Sequence, residues 1–180
     1  MTLQPTDLAP GTQVLLSAYF PPGSGLNLRA EYNRDFGAAT TTGGVKLAQI
    51  QVQVTLADTP AFAKTVFAQL PGIYGGAAGR ATLAQEVIPV TGAGSDATPK
   101  DAGFGKLRSV GVGQQSLFES MTLKSKGTTL AAGFVWLRVD GVLASLAVVA
   151  TRPPLADSVA IALARTVAAH ISAQLAATGS

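Results

Sequence analysis

The stretch FVWLRVDGVLASLAVVATRPPLADSV, residues 134–159, decides how the rest of the chain is read. Asp140-Gly141 is a two-residue turn signal, because both residue types tolerate a positive φ. Folding back about it pairs Val139 with Val142, Leu137 with Ala144 and Val135 with Leu146, a wholly aliphatic face. The other face sets Phe134, Trp136 and Arg138 against Ala147, Ser145 and Leu143. The first face is core, and the second is either covered as well or lines a groove. Pro153-Pro154 stops the second strand, since proline has no N–H to give the ladder. Asp157 or a neighbour caps the next segment. Val159, Leu163, Val167, Ile171 and Leu175 then recur every fourth residue, which predicts an amphipathic helix roofing the sheet.

The first half obeys the same grammar. Gln13 to Phe20 predicts a strand, turned back by Pro21-Pro22-Gly23-Ser24-Gly25. Leu26 to Phe36 alternates large and polar residues as a half-exposed strand does, and Ile50, Val52, Val54 and Leu56 alternate with Gln49, Gln51, Gln53 and Thr55. Thr59 as cap and Pro60 in the first turn start a helix, which Pro71-Gly72 is expected to end. Strand, proline junction and helix thus occur twice, the pattern of a βββα pseudo-repeat or of two common junctions. Between the halves, Gly72 to Ala81 reads as irregular, Thr82 to Val90 as a strand and Thr91 to Gly113 as a long loop. Leu117 to Lys124 is a further strand, turned by Lys124-Ser125-Lys126-Gly127 into the Trp136 strand.

Composition narrows the function. The chain has 180 residues, 47% of them hydrophobic and 13% charged, against the roughly 25% charged of an average soluble domain. That is enough for one cored domain spanning residues 1–180. The net charge is +3, and Lys100, Lys106 and Arg108 are interrupted by Asp101. No basic stripe with interleaved aromatics is present, so nucleic acid is not an expected partner. With no cysteine, thiol catalysis, thiolate metal sites and disulfides are excluded. No stretch reaches the roughly 20 consecutive apolar residues of a membrane helix, so no membrane span is expected. Met1-Thr2-Leu3 lacks the basic and apolar regions of a signal peptide.

At LRSVGVGQQSLFE (residues 107–119), followed by FVWLRVDGVLASLAVVA (134–150) and an alanine-rich terminal helix, the chain resembles a known group. It is similar to the PknH-like extracellular sensor and lipoprotein domains of actinobacteria and related bacteria. Their VGDxS turn is matched by Val112-Gly113-Gln114-Gln115-Ser116, with Gln114 in place of the usual acid. Their hairpin is matched by Trp136 to Val142, their early DLPPG by Asp7-Leu8-Ala9-Pro10-Gly11, and a helix by Thr59 to Ala63. The cysteines that staple the kinase ectodomains are missing. The resemblance implies an antiparallel sheet backed by helices, a periplasmic or cell-surface (extracytoplasmic) location, and ligand binding or sensing rather than catalysis. It carries over no catalytic residues.

The candidate reactive groups are few. His170, the lone histidine, falls on or beside the apolar stripe of the last helix, where a structural role is expected. A zinc site or a Ser-His-Asp triad would have to use it, and no Gly-x-Ser-x-Gly elbow supplies a serine. Glu31 and Asp35 share a strand face directed to water. Glu86 and Glu119, on expected strands, would suit acid–base chemistry only if they met in a cleft. Gly111-Val112-Gly113 precedes a strand, not a helix, and so reads as a tight turn rather than a phosphate loop. The constellation of most interest is Phe134, Trp136, Arg138 and Ser145, where large beside small leaves a slot for helix side chains or a shelf for a ligand.

These readings converge on an α+β fold with a single, mostly antiparallel sheet of about six or seven strands and a long C-terminal helix packed on one face. The expected function is a non-catalytic domain that binds or senses a small apolar or amphiphilic ligand, without cofactor or metal. The alternative is a protein–protein interaction module, homodimeric through an exposed strand edge or the neutral Gln/Thr face.

Overall fold

The computed structural model describes residues 1–21, 27–41, 44–88, 98–125, 128–150 and 155–178. Seven strands form one antiparallel sheet: β1 (Gln13–Phe20), β2 (Leu28–Gly37), β3 (Gln49–Ala57), β4 (Ala102–Phe104), β5 (Gln115–Ser125), β6 (Thr128–Val139) and β7 (Val142–Ala150). Their order across the sheet is β1-β2-β3-β7-β6-β5-β4. Two meanders therefore meet where β3 lies antiparallel to β7. The helices are α1 (Pro60–Tyr74), α2 (Ala77–Val87) and α3 (Asp157–Thr178).

The hairpin register is the one alternation dictates: Val139 faces Val142, Leu137 faces Ala144 and Val135 faces Leu146. All six are buried. They join Phe36, Ile50, Val52 and Val54 of the first meander beneath Ala160, Leu163, Ala164, Val167, Ala168 and Ile171 of α3. By length and composition α3 is also apolar enough to cross a membrane. Here its apolar stripe is consumed by the sheet. Each large side chain buried there contributes roughly 1.5–3 kcal/mol before entropy is subtracted. His170 donates to the Thr2 carbonyl through Nδ1 (2.8 Å), and its Nε2 lies 3.6 Å from Asp7 Oδ1. The histidine thus ties the N-terminal segment, with Leu3 and Leu8 in the core, to α3.

The opposite face carries a second core. Phe67 of α1 and Leu83, Ala84 and Val87 of α2 pack on Met121, Leu123, Leu130, Ala132, Phe134, Trp136 and Val149. The element order βββα occurs twice, as the sequence suggested, but α1 and α3 take opposite faces. A two-fold axis through the β3–β7 junction would put them on one.

Three expectations are corrected. Thr59 does cap α1, its Oγ1 accepting from Phe62 N–H, but Pro71 lies inside the helix, which runs on to Tyr74. Staying helical keeps Phe67, Leu70 and Tyr74 on the sheet side, and that packing outweighs the bond proline cannot make. The segment Gly72 to Ala81, read as irregular, and Thr82 onward, read as a strand, instead supply the end of α1 and all of α2 up to Val87. Gly79 permits this, because a Cβ there would collide with the Ile73 carbonyl where the helices cross. The seventh strand, β4, comes from the expected loop. The turns expected at Pro22 to Gly25, Lys126-Gly127 and Pro153-Pro154 lie outside the described residues.

Candidate functional site

The sheet has an uneven covering on the α1/α2 face. The two helices lie over β5, β6 and β7, and the same face of β1, β2 and β3 is left as the floor of a trough of about 620 Å³. Strand alternation builds that floor. Registry aligns Leu16, Asp35, Gln51, Ala147 and Phe134 in one row, and Ala18, Asn33, Gln53, Ser145 and Trp136 in the next. Tyr74 of α1 with Leu83 and Glu86 of α2 makes the wall. One side is thus a ladder of neutral amides and the other is aromatic and aliphatic. A volume in this range is that of an ordinary small-molecule site.

The expected site residues divide. Phe134, Trp136 and Ser145 line the trough. Trp136 forms its deep back wall, stacked on Tyr74 with ring centroids 4.7 Å apart and on Phe134 at 6.1 Å. Arg138 is elsewhere. Its Nε donates to Gln115 Oε1 (2.7 Å) and its Nη1 to the Asp140 carbonyl (2.9 Å), so it braces the hairpin tip. Sequence reasoning missed Asp35, Gln51 and Gln53 as floor, taking their face as solvated or as an interface. It missed Tyr74 because it ended α1 at Pro71-Gly72, and it missed Leu83 and put Glu86 on a strand because it did not see α2. The odd-numbered glutamines of β3, set beside the Ser145 face of β7, were the available signal.

Among the described residues, the charges in the trough lining are two carboxylates, Asp35 and Glu86, with no basic side chain in that lining. Withdrawal from water raises both pKa values from their ordinary carboxylate values, and a hydrogen bond from Gln51 partly offsets this at Asp35. The Tyr74 hydroxyl is raised as well, first by burial and then by Glu86. Asn33 Nδ2 donates to Glu31 Oε1 at 3.1 Å, while its Oδ1 is buried without a partner. Trough chemistry therefore suits hydrogen-bonding groups that are neutral or positive, and disfavours anions.

Glu86 and Glu119 do not meet. Glu119 is fully buried under α2, where Oε1 accepts from Arg80 Nε (2.9 Å) and Nη2 (2.6 Å). Arg80 also donates to the Gly105 carbonyl. This pair anchors α2 and the segment before β5 to the sheet, away from the trough. Among the described residues, no group of three or more His, Asp or Glu is placed to hold a metal.

The VGQQS turn has its own role. Gly113 has φ +62°, and a Cβ there would lie 2.8 Å from the Arg138 carbonyl oxygen. Ser116 Oγ accepts from Val112 N–H at 2.9 Å. Gln114 Nε2 donates to Asp140 Oδ1 (2.6 Å) and its Oε1 accepts from Asp140 N–H (2.9 Å). Asp140 has φ +52°, so the turn needs a left-handed residue at its first position, and Gln114 holds it there.

No protein-family model matches the chain, and no curated protein matches its sequence. Among solved structures, the crystal structure of the extracellular domain of PknH from Mycobacterium tuberculosis matches with a TM-score of 0.53. Identity is 8%, and the match covers 94% of this chain and 93% of that one. At that identity the two share a fold.

Proposed function

From the fold shared with an extracellular domain of a kinase, we propose that this chain is a non-catalytic domain working outside the cytoplasm, and that it binds a small amphiphile in the trough. The observation that carries the reading is the trough itself. An apolar portion of the ligand lies along Leu83, Phe134 and Trp136, and a neutral or cationic head meets Asn33, Gln51, Gln53, Ser145 and Asp35. Of the groups weighed for catalysis, His170 is committed to Thr2 and Asp7, and Glu119 to Arg80.

Trp136 is the single tryptophan, so its fluorescence reports the trough alone. Titration with a medium-chain monoacylglycerol below its micelle concentration is expected to give a saturable change. Ala147→Phe, which fills the floor, is expected to abolish it, and the corresponding fatty acid is expected to bind more weakly. A response absent in the parent, or unchanged in Ala147→Phe, would remove the reading. Fractionation of the producing cells tests the location, and recovery with cytoplasmic markers alone contradicts it.

A further inference from the structure

β1 is an edge of the sheet, and beyond the irregularity at its start it lacks the charges and prolines that commonly protect an edge strand. From Gln13 to Phe20 there is no charged side chain and no proline. Instead Leu15 is 60% exposed, Tyr19 62% and Phe20 47%. The other edge, β4, is protected by being three residues long. A bulge between Val14 and Leu16 breaks the β1–β2 ladder, so the regular outer edge runs from Leu16 to Phe20.

We propose that β1 is a dimerisation strand, pairing antiparallel with β1 of a second copy about a two-fold axis normal to the sheet. A partner strand there must bring apolar groups on both faces and no charge, and β1 itself meets both conditions. Leu16, Ala18 and Phe20 lie on the trough face, with Ser17 and Tyr19 on the other. The chain as a whole is +3, so two copies repel over most approaches, but this edge brings no like charges together. Tyr19 and Phe20 each offer about half of the roughly 200 Å² an aromatic side chain can bury. With Val14, Leu15, Leu16 and the strand backbone, each copy contributes on the order of 500 Å². The total of about 1,000 Å² is the lower bound of a specific interface, so association is weak and concentration-dependent.

The axis keeps both trough faces on the same side. Leu16, at the β1 end of the trough lining, then meets the second copy, and the two floors join into one. The pairing itself does not rest on the trough being occupied.

Sedimentation velocity over a concentration series is expected to show mass rising from one copy toward two. Tyr19→Lys combined with Phe20→Lys is expected to hold the chain monomeric throughout, with unchanged far-UV dichroism. The chain has no cysteine, so Ala18→Cys is expected to oxidise to a disulfide-linked dimer while Ala173→Cys, exposed on α3, does not. A parent that stays monomeric, a lysine variant that still dimerises, or equal cross-linking at both positions overturns the proposal. If the lysine variant does not fold, the cysteine pair decides. Dimerisation without any Trp136 response to the amphiphile defeats the ligand reading and leaves this one standing, and the reverse outcome does the opposite.

Discussion

Gln114 holds Asp140 by two hydrogen bonds, and making both takes an amide. A carboxylate there can accept from Asp140 N–H, but it cannot donate to the Asp140 carboxylate, as Gln114 Nε2 does. Gln114→Glu is therefore expected to cost about 1 kcal/mol, the order of one lost hydrogen bond. Adding Asp140→Asn, which tolerates the same positive φ, is expected to recover most of it. Thermal unfolding of the two single variants and the double variant checks this, and failure of Asp140→Asn to rescue refutes the pairing. Asp35 and Glu86 give a second prediction with a definite sign. Each has a higher pKa folded than unfolded, so between those values the folded chain binds more protons. Their contribution to stability falls as pH rises through that window, and it is most favourable below it. The melting temperature of the Asp35→Asn, Glu86→Gln variant, relative to the parent, is expected to increase from about pH 4 to pH 7. A difference that shrinks with pH contradicts the burial argument.

At the scale of elements, small residues set how closely helices approach. A Cβ at Gly133 of β6 would lie 2.9 Å from Ala160 Cβ on α3 and 3.2 Å from Phe118 Cε2. Gly133→Ala is expected to destabilise by about 1–3 kcal/mol through overpacking. For a chain of this length that lowers the melting temperature by roughly 2–12 °C. Ala160→Gly in the same chain relieves part of the crowding, so the double variant is expected to lose less than the two single changes together. Strict additivity would mean that the helix does not rest on this glycine. Alternation made β3, β6, β7 and the four-residue repeat of α3 legible. The second helix was not legible, because Gly75, Gly76 and Gly79 read as breakers and Thr82, Val87 and Ile88 as strand formers. Those weak local preferences lost to the burial of Leu83, Ala84 and Val87 on the sheet.

The whole molecule has a gradient of covering. β6 and β7 are roofed on both faces, whereas the burial pattern of β1 is almost wholly exposed. Native-state hydrogen exchange is expected to be slowest in β6 and β7 and fastest in β1, since local opening costs least where few apolar contacts are lost. Uniform protection across the sheet would contradict that gradient, and selective protection of β1 at high concentration would accord with its pairing. Phe134, Trp136 and Ser145 were readable as a large-beside-small surface from the hairpin alone. How far that surface is filled was not: Tyr74 packs against Trp136, and the space in front remains open.

By itself the sequence determined the hairpin register, the strands flanking it and the roofing helix, because side-chain periods of two and of about four are imposed by backbone geometry. Only the tertiary structure decided that Arg80 and Glu119 pair beneath α2, that Arg138 turns away from the trough, and that the β3 glutamines become its floor. Those outcomes depend on which strands lie side by side and which faces the helices take. No local spacing encodes that, since it arises from competition among distant segments for the same apolar surface.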